Sequence, residues 1–413
     1  MRAHETEIAI VGAGQTGAPL ALALAQAGFD VALIDARDPE AAPPADMRNF
    51  AIVTGSWRLL KAIGIADEIV SDTVALHGLE AVDGGTHWFG APQVLFGDED
   101  LTLRNEDETL GRMVQASILQ AALDKAIATE PKITLFAPAR FSHADATPGQ
   151  IKLHLEDGTA IKARLLVGSD GMNSPVREDA GIPTVGRDYN KSVFVANVAL
   201  SEPHHGIARQ LFTPEGPFAT LPLSGDRANL AWYMKRGAAE ALSKGPVEEA
   251  EAELNYRFED FCGKMAIEGR MGAYPLILQI AENLVAERVA LVGDAARRSN
   301  PLAGQGLDQG LHDVAALYDA IVDADHAGLD IGSPQALGVY ETARRFNAAS
   351  AALALDGIDR LFSNDHMLTK PVRGLGLMLA EKIAPLRQAI AGVASASGPD
   401  LPRLMQPSES VIS

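Results

Sequence analysis

The stretch EIAIVGAGQTGAPLALALAQAGFDVALIDA, residues 7–36, decides the fold. EIAIV is a short apolar run that reads as a buried strand. APLALALAQAG carries apolar residues at helical spacing and closes on Gly28, and DVALIDA is a second buried strand ending at Asp35. Two strands joined by a helix make a βαβ unit, with glycines where the first strand turns into the helix. Gly12 permits the tight turn, Gly14 lets the backbone approach a pyrophosphate, and Gly17 lets helix and strand pack closely. The helix N-terminus offers unpaired N–H groups to phosphates, and Asp35, about 20 positions on, can accept hydrogen bonds from an adenosine ribose. This context predicts dinucleotide binding and leaves open whether the nucleotide is a flavin or a nicotinamide.

The rest of the chain is consistent with a large cytoplasmic protein. Its 413 residues, 47% hydrophobic and 22% charged, suffice for two or three compact units. A net charge of −19 argues against nucleic acid as a partner, because phosphate binding needs a basic face. The single cysteine, Cys262, excludes an internal disulfide and a thiolate metal cluster, so redox chemistry must come from a cofactor. No secretory leader and no membrane-spanning run is read from the sequence. Helical period recurs in SWRLLKAIGIADEI and RMVQASILQAALDKAIAT. A hairpin is expected around EDG at 156–158, and SVFVANVAL and NLAWYMK alternate as strands.

Two further segments have the form of strand ends feeding turns. LVGSDGMNSPVR, residues 166–177, ends a strand in Asp170-Gly171 before a helix. GDAARRSNPLAGQGLDQG, residues 293–310, follows the strand RVALV and places Asp294 where a carboxylate can accept hydrogen bonds from a polyol chain. Beyond Pro301 a helix begins. Its first turn, Gly304 to Asp308, aims unpaired N–H groups at whatever lies in front, such as a ring system that becomes negative on reduction.

GAGQTG with Asp35, DMRNFAI at 46–52, SDGMNSPVR and GDAARRSNPLAGQGLDQG together resemble the class A flavoprotein aromatic hydroxylases of the p-hydroxybenzoate hydroxylase type. RLFSND at 360–365 and the helical stretch at 373–398 are similar, more specifically, to the ubiquinone-biosynthesis ring hydroxylases. The resemblance implies an α/β fold: a Rossmann-like FAD-binding domain of the glutathione reductase type, an inserted β-sheet-rich substrate domain and a C-terminal helical region. The expected boundaries are 1–75, 105–180 and 270–345 for the FAD domain, 76–104 and 181–269 for the substrate domain, and 346–413 for the helical region.

The resemblance also implies site residues. Gly12, Gly14, Gly17 and Asp35 would hold the ADP half of an extended FAD, and Asp170 and Asp294 would join the cofactor contacts, Asp294 on the ribityl chain. Pro301, Gly304, Gln305, Gly306, Leu307 and Asp308 would lie along the flavin, with Pro301 and Gly304 beside the ring. Arg48 matches an arginine near the phosphates or the incoming nicotinamide nucleotide, and Gln115 a helical residue touching the flavin. The implied reaction uses NADPH or NADH and O₂, through a flavin C4a-hydroperoxide, to hydroxylate a phenolic, polyprenylated ring in ubiquinone biosynthesis. No second GxGxxG occurs in a strand–helix context, so the nicotinamide nucleotide is expected in a surface groove. Phe218, Leu221, Pro222 and Trp232 are candidates for the substrate wall. No metal is expected, and His204 and His205 read as solvated.

Two positions depart from the family pattern. Arg297 stands where GDAAH is usual and Asp308 where GQGLN is usual. A carboxylate at 308 would either oppose an anionic reduced flavin or serve only as a helix cap. Competing readings are a non-catalytic FAD-binding scaffold of a quinone-biosynthesis assembly and a flavin-dependent reductase; a tryptophan halogenase is disfavoured because Trp57, Trp88 and Trp232 form no WxW pair. Lys370, Arg373, Lys382 and Arg387 face only Glu381 within 370–393. That segment reads equally as a peripheral anchor on the inner face of a membrane or as a helix packed on the FAD domain.

Overall fold

The structure, a computed structural model, describes residues 4–39, 41, 48–84, 93–101, 108–298, 306–345 and 401–407. The βαβ unit is present as strand Ile8–Val11, helix Gly17–Gln26 and strand Val31–Ile34, and both strands are buried at every residue. They lie inside a six-stranded sheet. Leu165–Gly168 pairs in parallel with Ile8–Val11, Val289–Leu291 pairs beyond it, and Ile133–Phe136 pairs with Val31–Ile34 on the other side. Cover on both faces explains the unbroken apolar runs of these strands. The register sets Val11 beside Gly168 and Gly168 beside Leu291, so the three motif-bearing strands end side by side.

A second, eight-stranded sheet holds the long antiparallel pair Thr184–Leu200 and Met265–Ala281 together with Phe218–Leu223 and Arg227–Lys235. Pairing continues to Ala281, so residues 270–281 belong to this sheet rather than to the dinucleotide-binding unit expected to resume at 270. The two faces of this sheet differ. On one, Phe194, Phe218, Leu230 and Trp232 pack against helix Val247–Cys262, with Phe218 stacked on Phe258 at 3.8 Å. On the other, Leu221 meets Ala51, Leu76 and Met113 of a three-stranded sheet built from Asn49–Val53, Val74–Leu76 and Gly111–Gln115.

Of the helical region expected at 346–413, residues 346–400 and 408–413 lie outside the described residues. Residues 401–407 pack back on the first unit. Met405 is fully buried, its carbonyl accepts from Arg58 Nη1 at 3.2 Å, and Arg403 pairs with Asp319 and Asp323. Among the described residues no helix is long and apolar enough to cross a membrane.

Candidate active site

Three strand ends converge. Gly12 has φ +105°, and a Cβ there would stand 2.4 Å from the Ser169 carbonyl oxygen; a Cβ on Gly17 would stand 1.9 Å from the Gly12 carbonyl oxygen. Both are close-approach glycines demanded by the polypeptide itself. Gly14 is different, because a Cβ there would have no atom of the described residues within 4 Å. The space in front of Gly14 is therefore open for a ligand, which is what a pyrophosphate requires. Ser169 ties the first two motifs together, its hydroxyl donating to the carbonyls of Val11 and Gly12 at 2.9 and 2.8 Å. The third motif touches the first through Thr16, which fills the space that a Cβ on Gly293 or on Gly310 would need.

The carboxylates at these ends fit an extended dinucleotide. Asp35 is half-buried; it accepts the Ala13 N–H at 2.6 Å and the Arg37 N–H at 2.7 Å, which leaves acceptor capacity on both oxygens for ribose hydroxyls. Asp170 accepts the Val176 N–H at 3.0 Å, while its Oδ1 is buried with no hydrogen-bond partner among the described residues. Desolvation raises its pKa. Asp294 is open to solvent on one side. The protein around it still raises its carboxyl pKa by desolvation, and Arg48 and Arg298 pull it back. Arg48 thus lies near enough to Asp294 to act on its charge, and its guanidinium also lies over the Phe50 ring.

Several residues were not legible in advance. Gln120 donates to the Ala13 carbonyl at 3.0 Å and to Asp124, which in turn holds Arg37 in a two-bond pair, so a helix that seemed only amphipathic braces the phosphate loop. Arg177 is buried and donates to the carbonyls of Ala295 and Met172, stitching the SDGMNSPVR turn to the GDAAR turn. Gln115 is the last residue of a strand and precedes helix Ala116–Thr129, so it stands at the helix start instead of on the helix. Its side chain is exposed. Pro301, Gly304 and Gln305 lie outside the described residues; Gly306 opens helix Gly306–His326, and Leu307 and Asp308 follow in its first turn.

The two departures both turn inward. Arg297 is buried and pairs at 2.9 Å with Asp313, which also pairs with Arg344 at 2.6 Å and accepts the Gly293 N–H at 3.0 Å. It therefore supports the turn that carries Asp294. Burial and Arg344 push the neighbouring His312 down to about 3, so that ring stays neutral beside two cations. Asp308 does not cap its own helix, because it sits two residues inside it. Its Oδ1 accepts the Val53 N–H at 3.2 Å, at the start of helix Thr54–Ala62 and near Ser56.

Asp308 is 4% exposed, and desolvation raises its carboxyl from 3.8 to about 7, with Ser56 and the Val53 N–H opposing the rise. The folded state holds this proton more tightly than the unfolded chain does. Its stabilisation is complete below about pH 4 and is lost as pH rises through 7, a change of roughly 4 kcal/mol. Asp308→Asn is expected to remove that slope: denaturant unfolding at pH 5 and pH 8 should show the variant gaining on the wild type at pH 8. A constant difference between them would exclude a buried, titrating carboxyl.

Glycine turns on adjacent parallel strands, an open space before Gly14 and a second sheet packed nearby define a dinucleotide-binding fold. The family model described as FAD binding domain matches residues 5–352, and the chain belongs to that family. It is 37% identical over 405 residues to the ubiquinone hydroxylase UbiL of Rhodospirillum rubrum, covering 97% of this chain and 92% of the relative. It is 35% identical over 394 residues to the 3-demethoxyubiquinol 3-hydroxylase of Escherichia coli, covering 94% and 98%. Its fold matches the crystal structure of p-nitrophenol 4-monooxygenase PnpA of Pseudomonas putida with a TM-score of 0.77 at 17% identity, over 96% of this chain and 100% of that one. The cofactor is FAD, and the protein is a flavin-dependent monooxygenase.

Proposed function

We propose that this enzyme hydroxylates the phenolic ring of a polyprenylated ubiquinone precursor, with NADPH or NADH and O₂ as co-substrates. The observation that carries the reading is the identity of more than a third, over nearly the whole of both chains, to two hydroxylases acting on ubiquinone or its precursors. The redox chemistry, hydride uptake from the nicotinamide and oxygen transfer to the ring, is FAD's own. What the chain adds is position and shelter. Gly14 admits the pyrophosphate, Asp35 and Asp294 hold the two sugar-like ends, and the eight-stranded sheet roofs the reacting ring from water.

The face of that sheet turned to the FAD unit supplies the substrate wall. Strand alternation separates the four residues expected there: Phe218, Pro222 and Trp232 are buried on the side of helix Val247–Cys262, and Leu221 is on the other. Val195, Asn197, Leu221, Asn229 and Ala231 occupy positions on the FAD-facing side and are half-buried, between the buried Val193 and Tyr233 at one end and the buried Leu223 at the other. Asn197 Oδ1 accepts from Asn229 at 2.9 Å and from Asn49 at 3.4 Å, an amide cluster bridging the two units. Asparagine is a poor strand former, and its presence in two paired strands suits recognition of a ring hydroxyl. Asn197→Leu and Asn229→Leu are each expected to lower kcat/KM by roughly tenfold through KM, with FAD content unchanged. An unchanged KM in both would remove these amides from the substrate wall.

The lipid tail would bring the enzyme to a membrane surface or to a quinone-synthesising assembly, and the basic stretch from Lys370 to Arg387 is the segment suited to either; it lies outside the described residues. Deleting the gene and identifying the accumulated quinone precursor by mass spectrometry tests the function. A precursor lacking one ring hydroxyl would support it, and normal ubiquinone with no accumulated intermediate would overturn it.

A further inference from the structure

Away from the FAD site, the hairpin formed by Phe141–Thr147 and Gln150–Leu155 gathers three metal-ligating side chains on one face. His143 pairs directly with His154, and Asp145 lies two residues along the same strand, so alternation directs all three the same way. That arrangement depends on one extra residue. Phe141 pairs with Leu155 and is buried, and pairing resumes with His143 opposite His154, which leaves Ser142 as a bulge. In an unbroken register His143 would face Leu153 on the core side; the bulge turns it outward beside His154.

The geometry is close to that of a ligand set. The two imidazoles stack with centroids 4.4 Å apart and planes 4° apart, and His154 Nε2 lies 3.2 Å from Asp145 Oδ2. One ligand atom from each residue lies within 4.8 Å of the other two. Ser142 Oγ is 3.2 Å from His143 Nδ1, which leaves Nε2 to face a ligand. We propose that His143, Asp145 and His154 bind a zinc ion, with water completing the coordination.

Two imidazoles and one carboxylate suit zinc and not magnesium or calcium, which prefer all-oxygen sets. Tetrahedral zinc needs ligand atoms about 3.3 Å apart, so the rings must leave their parallel stack and turn their lone pairs inward. His143 and Asp145 are exposed and His154 is half-buried, so the side chains have room to do so. Lys152 stands across from Asp145 on the same face, and its charge opposes the ion.

The test is calorimetric titration of Zn²⁺ into the FAD-loaded, chelator-stripped full chain. One zinc per chain is expected. His143→Ala and His154→Ala should each weaken binding on the order of tenfold or more, and Lys152→Met should tighten it. FAD content and NADPH oxidation should stay at the wild-type level in all three, because the hairpin belongs to a separate four-stranded sheet. Zinc binding that is undetectable at about 100 µM metal, or equal in the wild type and the His143→Ala/His154→Ala double variant, would overturn the proposal.

Discussion

Gly17→Ala is expected to yield little folded protein, whereas Gly14→Val folds normally and is purified without flavin. The two glycines belong to one motif, yet they are required for different reasons. A methyl on Gly17 would lie 1.9 Å from the Gly12 carbonyl oxygen and 2.2 Å from Ser169 Oγ. Relieving the first contact means moving the strand-to-helix turn itself, at a cost of about 3 kcal/mol or more. At Gly14 no atom of the described residues lies within 4 Å of an added Cβ, so the apoprotein has room for a side chain there. The cofactor does, because its pyrophosphate must come close to that backbone. Thermal unfolding of the apoproteins, with flavin absorbance per chain, separates the two effects. A Gly14→Val protein carrying a full complement of FAD would show that the pyrophosphate does not pass this glycine.

Asp313→Ala should be the most destabilising side-chain truncation in the FAD unit. Asp313 is fully buried between Arg297 and Arg344, which are themselves 8% and 1% exposed. Removing the carboxylate leaves two buried guanidiniums facing each other with no counter-charge, an error of about 3–5 kcal/mol. It also releases the Gly293 N–H, so the turn bearing Asp294 loses its anchor. Weakened FAD binding should therefore accompany the lost stability. Asp313→Asn keeps an acceptor for Gly293 while discarding the charge, and should bind FAD better than the alanine variant at similarly reduced stability. Equal FAD affinity in the two would mean that the Gly293 contact does not position the site. Wild-type stability of Asp313→Ala would refute the ion triple itself.

The order of structural levels explains which of these residues could be read directly. Gly12, Gly14, Gly17 and Asp35 are legible because their placement is local: a strand end, a turn and a helix start within one continuous stretch impose glycine at set positions. Asp170 and Asp294 follow from the same strand-end logic. The pairing of Arg297 with Asp313 and Arg344 joins residues 16 and 31 positions apart through packing, and nothing in local spacing signals it. Asp308 shows the same limit. As a letter in GQGLDQG it could face the flavin or cap its helix, and it turns to the Val53 N–H of another element. The four apolar residues expected at the substrate wall do not share a face, since a strand's alternation tells which residues share a side and not which side a ligand takes.

The sequence by itself determined the dinucleotide fold and the glycines of its strand-to-helix turn, because hydrophobic period and turn chemistry act over a few residues at a time. Only the tertiary structure decided what faces what. Helix Val247–Cys262 closes one side of the eight-stranded sheet and leaves Asn197, Leu221 and Asn229 half-buried on the other. A single bulge at Ser142 decides whether His143 points into the core or toward His154 and Asp145. Both outcomes depend on register and on packing between segments distant in the chain, and a one-residue change in register exchanges the two faces of a strand.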